Sequence, residues 1–276
     1  MSYQTSIIIS FYNKVESLKM IFAALERQTF KNFEVLIADD GSEQDVVSEI
    51  ETIQLNYSFP IRHVWHEDKG WRKNIILNKA IVLTSAEYLI FMDGDCIPHP
   101  LFVQEHFENK NIDKVVSGRR VMLTKKISNS LTVEQVKNGY LDRKVIFPLA
   151  IECVFFAYKT HIENLIRVRN PILRKLFIKN KKKGFWGCNF SIFKANLIKV
   201  NGFDERYEHP ALGEDTDLEF RLKRIGILPV PKKHMLTQYH LYHIHYVSIH
   251  ESNLKIFDEN NKNLVTYTPF GIIKTT

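Results

Sequence analysis

Residues 87–95 read Glu-Tyr-Leu-Ile-Phe-Met-Asp-Gly-Asp. The run Tyr88 to Met92 is apolar at every position and ends abruptly at Asp93-Gly94-Asp95. That is a short buried strand feeding a polar turn. Three earlier stretches also read as strands ending in polar residues: the apolar β-branched run SIIISFY (6–12), FEVLIAD (33–39) and the candidate IRHVWHE (61–67). Helix-like stretches lie between them: LKMIFAAL (18–25), VVSEIETI (46–53) and WRKNIILNKAIVL (71–83), the last with an apolar face at Ile75, Ile76, Ala80 and Leu83. Strands alternating with helices predict an α/β fold, a parallel sheet covered on both faces. Ligands bind such sheets at the carboxyl ends of the strands. Those ends carry Tyr12-Asn13, Asp39-Asp40, His66-Glu67-Asp68 and Asp93 to Asp95, which places a polar site along one edge.

Downstream the pattern changes. From Thr124 to Lys183 the chain is rich in Lys, Ile and Phe with weak periodicity, and helices packed over the site, or a lid, are expected. Within it, Val145 to Tyr158 is apolar but interrupted by Pro148 and Glu152, too short for the ~20 residues of a membrane span. Arg167 to Lys183 holds eight basic residues and no acid, a patch that suits phosphate, an anionic membrane face or nucleic acid, or simply a solvated loop. GFWGCNFSIF (184–193) reads as a strand, Ala195 to Val200 as a short helix broken by Gly202, and Gly213-Glu214-Asp215-Thr216-Asp217 as the start of a helix that Gly226 ends.

The 276 residues are 45% apolar and 25% charged, which excludes a mainly disordered chain or a coiled coil. Cys96, Cys153 and Cys188 are far apart, with no CxxC pair to suggest a zinc module or disulfide framework. MSYQTSIIIS has no basic n-region or cleavage site, so no signal peptide is expected and the expected location is the cytoplasm. The net charge of +7 is a mild bias. GxGxxG after the first strand, GxxxxGK[ST] and GxSxG are all missing, which argues against dinucleotide-binding, P-loop and α/β-hydrolase chemistry.

Four motifs carry candidate chemistry, each beside a plainer reading. Asp93-Gly94-Asp95 can chelate a hard divalent cation and leave positions open for phosphate oxygens, or can be an ordinary turn. Glu214 and Asp215 can supply a general base, or serve only the dipole of the helix they open. His234, His240, His243, His245 and His250 include good ligands for a Mn²⁺-like ion, with strand spacing putting His243 and His245 on one face. Arg72 and Lys73 open a helix, where an anion is favoured, or are merely exposed there.

The order of the motifs is more specific than any one of them. SFYNK, ADDGS, HEDKGWRKNIILNKAI, FMDGD, GFWGCNFSIFKANLIKVNGFDE, GEDTDLEFRLKRIG and YHLYH together resemble the inverting family-2 glycosyltransferases of GT-A fold. The later part is similar to the module shared by β-1,4-galactosyltransferases and bacterial chondroitin polymerases. The resemblance covers about residues 5–122 and 184–246. It implies a Rossmann-like, mostly parallel sheet flanked by helices with a C-terminal acceptor-side extension. The chain reads as one compact domain with three parts: a nucleotide-sugar-binding half (1–122), a basic and apolar helical insertion or lid (123–183) and an acceptor-side half with the base and the metal-binding histidine (184–276). It implies that Phe11 and Tyr12 lie beside the nucleotide base, that Asp39 or Asp40 binds the uracil, with Asp40 favoured, and that Arg72 lies near base and diphosphate. Asp93, with Gly94, meets the ribose; Asp95, His243 and, more weakly, His240 hold Mn²⁺ or Mg²⁺; in the Glu214-Asp215 pair the aspartate is the base. The implied partners are a UDP-sugar and a glycan or lipid-linked acceptor, with an anionic membrane surface, the inner face, as a docking place and no nucleic acid. The chain departs from the family at Pro210 to Gly213, where galactosyltransferases have Trp and Gly, and at Leu77-Asn78, where Arg-Asn is usual. The competing reading is a basic protein that binds nucleic acid or membrane without transferase activity.

Overall fold

The computed structural model describes residues 3–156 (the backbone alone at 154–156), 160–168, 170, 172, 184–244 and 248–274. Ten strands follow in chain order: β1 (Thr5–Phe11), β2 (Phe33–Asp39), β3 (Ile61–Trp65), β4 (Tyr88–Asp93), β5 (Cys96–Pro98), β6 (Lys114–Ser117), β7 (Arg119–Met122), β8 (Asn189–Phe193), β9 (Leu228–Pro231) and β10 (Thr237–His240). Seven of them form the central sheet in the order β3-β2-β1-β4-β8-β6-β9. The pairs from β3 through β4 are parallel, β8 runs antiparallel between β4 and β6, and β9 is parallel to β6. The expected mostly parallel α/β sheet is therefore present.

Alternation along each strand sorts the side chains into two cores. Ile7, Ile9, Val35, Ile37, Ile90 and Met92 face the helix Val15–Glu26 through its Ile21, Phe22 and Leu25. Ile8, Leu36, Leu89 and Phe91 face the helix Lys73–Leu83 through its Ile76, Ala80 and Ile81. Phe91 also stacks on Phe190 of β8, with ring centroids 4.5 Å apart and planes 2° from parallel. That cross-strand pair holds the one antiparallel neighbour of β4 in register.

The second sheet is small, in the order β5-β10-β7. It brings the histidine-rich segment onto the loop after β4, because His240 pairs with Cys96, the residue after Asp95. Its partner strand begins at Cys96, so β10 ends at His240 and residues 241–244 are irregular. The strand-face pairing expected for His243 and His245 is thus not formed at His243, and His245 lies outside the described residues. The strand expected over 184–193 is shorter, Asn189–Phe193, after a turn closed by a bridge between Trp186 and Asn189.

The middle helices (Lys125–Ser130, Val133–Lys137, Tyr140–Arg143 and Ile146–Phe156) place Ile127, Leu131, Val136, Leu141, Val145 and Leu149 in the same core as Ile21, Phe22 and Leu25. Arg27 joins them through a two-pronged bond to Asp142, at 2.8 and 3.1 Å. Among the described residues this segment leans on the helix Val15–Glu26, and none of it lines the cleft at the strand ends. Of the basic stretch 167–183, only 167, 168, 170 and 172 are described. No helix among the described residues is long and apolar enough to cross a membrane.

Candidate active site

The carboxyl ends of β1, β2 and β4 meet the start of the helix Asp215–Arg224 around a cleft of about 720 Å³. Of the residues expected there, Phe11, Tyr12, Asp40, Asp93, Gly94, Asp95, Glu214, Asp215, His240 and His243 line it. Asp39 and Arg72 do not.

The reason is local geometry. Asp39 is the last residue of β2 and fully buried; one carboxylate oxygen accepts the Ser42 N–H (2.9 Å) and hydroxyl (2.6 Å), and the other lies 2.8 Å from His63 Nε2. It builds the turn. Gly41 completes that turn at φ +96°, where an added Cβ would sit 2.6 Å from the Asp68 backbone. Asp40, one residue on, faces the cleft. Its Oδ1 lies 2.7 Å from His66 Nε2, and its Oδ2 accepts the Arg72 backbone N–H at 2.8 Å. Burial pushes the Asp40 carboxyl up and the His66 imidazole down, each partly offset by the other. The Arg72 guanidinium instead donates to the Glu67 carbonyl. Tyr12 donates to Asp68 at 3.0 Å, and with Phe11, Gly70 and Trp71 it walls a slot beside Asp40.

Lys73 stands where a cation was expected at Arg72. Its ammonium bridges Asp93 (2.9 Å) and Glu214 (2.5 Å), and Ser10 also donates to Asp93 at 2.8 Å. Burial opposes the charge on Lys73, yet the two carboxylates hold its pKa well above the ordinary lysine value. Glu214 responds the other way. Burial pushes its pKa up to about 7 against the pull of Lys73, helped by Asp93 and Asp215. Asp215 accepts the Gly187 N–H at 2.8 Å and a bond from Thr216 at 3.2 Å, and it has no ion pair among the described residues. Asp217, on the same helix, is structural: it is buried against Arg221 at 2.6 Å.

Asp95, His240 and His243 form the third group. His243 Nε2 lies 3.0 Å and His240 Nε2 3.6 Å from Asp95 Oδ2, and one ligand atom from each falls within 4.8 Å of the others. Burial alone would raise Asp95, but the two imidazoles hold it well below the carboxylate range. Burial pushes His240 down to about 4, which favours the neutral, ligating form; Asp95 raises His243. One carboxylate and two imidazoles suit a Mn²⁺-like ion. The charge balance suits a cation too: six carboxylates line the cleft (Asp40, Asp68, Asp93, Asp95, Glu214, Asp215) against three cationic side chains (Lys14, Lys73, Arg120). An anionic ligand entering such a surface needs added positive charge.

Asp68 and Lys73, flagged only as a polar strand end and a helix-opening cation, line the cleft too, and Lys14, Trp71 and Arg120 line it beyond the expected set. Lys73 was legible as a cation at a helix start. Arg120 carried no signal, because it reaches the cleft from β7 in the small sheet. His234 hydrogen-bonds the Ile166 carbonyl, and His250 stacks on His209; neither lines the cleft.

Comparison with known proteins agrees with this architecture. The chain matches the family described as "Glycosyl transferase family 2" over residues 6–197, and "N-terminal domain of galactosyltransferase" over residues 169–244. It is 26% identical over 238 residues to chondroitin synthase of Escherichia coli, covering 80% of this chain and 32% of that protein. It is 27% identical over 236 residues to hyaluronan synthase of Pasteurella multocida, covering 80% and 23%. The chain thus spans a third or less of the length of these two relatives. Among solved structures, the mannosyltransferase PcManGT from Pyrobaculum calidifontis, in complex with GDP-Man and Mn²⁺, superposes with a TM-score of 0.53 at 12% identity, covering 87% of this chain and 57% of that one. TarS from S. aureus superposes at 0.52 and 14%, covering 87% and 37%. These two share the fold.

Proposed function

The chain belongs to glycosyltransferase family 2, and from that premise we propose that it is a metal-dependent inverting transferase that moves a hexose or N-acetylhexosamine from a UDP-sugar to a glycan or lipid-linked acceptor of a surface polysaccharide, forming a β-linkage. The observation that carries the reading is the division of the cleft. The carboxylate and imidazole cluster of Asp95, His240 and His243 lies at the end of β4, and Asp215, without an ion pair among the described residues, stands at the head of the facing helix.

In this reading Asp40 and the walls formed by Phe11, Tyr12 and Trp71 hold the uracil, and Asp93, fixed by Ser10 and Lys73, receives the ribose. Asp95, His240 and His243 would hold Mn²⁺ or Mg²⁺, which when bound would supply positive charge to the departing diphosphate. Asp215 takes the proton of the acceptor hydroxyl as its oxygen bonds to the sugar's anomeric carbon and the carbon–phosphate oxygen bond breaks, releasing UDP. The Gly187 N–H orients that carboxylate while leaving it able to accept the proton. Holding both substrates in line supplies much of the remaining acceleration.

An anionic membrane face is the proposed docking place. On the helix Ile146–Phe156, Phe147 is 70% and Ile151 57% exposed, beside exposed Arg143 and Lys144. The triple change of Lys181, Lys182 and Lys183 to Ala tests it: reduced sedimentation with anionic vesicles is expected, and unchanged sedimentation refutes it.

The deciding experiment for the activity is UDP release by purified protein across a panel of UDP-sugars, with Mn²⁺ and then with EDTA. Metal-dependent release with one preferred sugar is expected. Folded protein that neither binds nor turns over any of them refutes the proposal.

A further inference from the structure

The helix Glu251–Lys262 lies beyond both family matches, which end at residues 197 and 244. Its first turn places Asn253, fully buried, under the loop that leads into Glu214 and Asp215. The Asn253 amide nitrogen donates to two carbonyls, His209 and Leu212, each at 2.7 Å. Those carbonyls bracket Pro210 and Ala211, two residues that line the cleft on the side of Asp215. The loop needs holding. Ala211 sits at φ +84° and Gly213 at φ +104°, so a non-glycine residue is kept in a left-handed conformation that persists only where its surroundings impose it. Gly213 presses on the Tyr207 ring, where an added Cβ would fall 1.9 Å from a ring carbon. From the same C-terminal segment, the His250 ring stacks on His209 with centroids 3.6 Å apart. Further along the helix, Asn260 donates to Asp217 at 2.9 Å and Phe257 packs edge-on against Phe220, which ties it to the helix carrying Asp215.

We propose that Asn253 is a positioning residue for the acceptor: its side-chain amide sets the shape of the 209–212 rim against which the acceptor sugar docks. The inference rests on the transferase reading above. It adds that acceptor placement depends on a helix outside the matched family regions, and that donor binding does not.

The test uses the full chain, with Asn253→Asp and His250→Asn. The first replaces the two-carbonyl donor with a carboxylate of the same shape. The second removes the stacked ring yet keeps a residue that caps the helix well. Three readouts are taken: UDP release from the preferred UDP-sugar without acceptor; transfer to the methyl β-glycosides of glucose, galactose, N-acetylglucosamine and glucuronic acid; and amide hydrogen exchange. For Asn253→Asp, the KM for the methyl glycoside used rises about tenfold or more. The KM for the UDP-sugar and acceptor-free release stay within about twofold, and exchange quickens over residues 207–213 but not in β1 or β4. His250→Asn moves the same readouts in the same direction by less. Unchanged loop exchange in folded Asn253→Asp, or a donor KM that rises as far as the acceptor KM, overturns the proposal. Wild-type protein that neither binds any UDP-sugar nor releases UDP with or without acceptor, with the loop responding as expected, refutes the donor assignment and leaves the Asn253 clamp on the loop standing.

Discussion

Glu214 is where burial and ion pairing compete most directly, and replacing it with Gln measures which wins. Its carboxylate is 2.5 Å from Lys73, an arrangement that by itself would lower its pKa. Its side chain is only 20% exposed, with Asp93 and Asp215 near, and burial prevails: the pKa rises from 4.5 to about 7. A carboxyl whose pKa is raised in the folded state binds more protons folded than unfolded between those two values. Stability therefore falls as pH rises through that window. One pKa unit corresponds to about 1.4 kcal/mol, so the full effect is roughly 3 kcal/mol, of which about 2–3 kcal/mol develops between pH 5 and pH 8. Gln cannot ionise and loses this dependence. Thermal unfolding followed by circular dichroism from pH 5 to pH 8 should show Glu214→Gln and wild type close together at the acid end. By pH 8 the variant should melt about 5 °C higher relative to wild type than at pH 5, at about 2 °C per kcal/mol for a chain of this size. Parallel curves across the range would mean that Glu214 is ionised throughout and that Lys73 outweighs burial.

Asp215→Asn should lower transfer by about 10²–10⁴-fold with the UDP-sugar KM nearly unchanged, and retention of full activity would remove Asp215 from the role of base. His243→Ala should weaken Mn²⁺ binding by at least about tenfold by electron paramagnetic resonance. In wild type, Mn²⁺ binding should weaken on acidification, because Asp95 holds His243 above its ordinary pKa and the protonated ring cannot ligate; pH-independent binding would exclude His243 as a ligand. Glu34 is buried and accepts bonds from Ser6 (2.6 Å) and from Ser85 (2.7 Å) and pairs with Arg62 at 2.6 Å. Glu34→Ala should destabilise by about 2–4 kcal/mol in urea unfolding without altering substrate KM. Burial would raise Glu34, but these partners hold its pKa below the usual value, so its contribution is present above about pH 4.5 and lost on acidification.

The first half of the chain was the more legible in the sequence. β1, β2 and β4 are largely apolar runs, and the helices between them carry apolar faces, so local patterning and final burial mostly agree. The acidic strand ends were readable for the same reason, although a residue closing a buried strand can also turn inward, as Asp39 does. Choosing within Asp39-Asp40 needed the turn, because consecutive residues point oppositely and only the bond from Ser42 to Asp39 fixes which is which. Motif position does not say which of two adjacent cations turns inward; Lys73 does, drawn by Asp93 and Glu214, while Arg72 donates to the Glu67 carbonyl. The middle helices had weak periodicity because each is short and shares its apolar surface with Val15–Glu26 rather than forming a stripe of its own. Arg120 and Asn253 gave no warning because their roles exist only once distant segments pack.

The antiparallel strand β8 lies between β4 and β6, yet it is made about 100 residues after β4 ends. At about 5–20 residues per second, a ribosome needs roughly 5–20 s to deliver it. Over that interval the growing chain holds β4, with Leu89, Ile90 and Phe91, as an apolar sheet edge whose backbone groups have no neighbour on one side. Nascent copies on one messenger are most prone to pair wrongly during this interval. Covering the β4 edge until β8 can dock would suppress that mispairing without any change to the finished core.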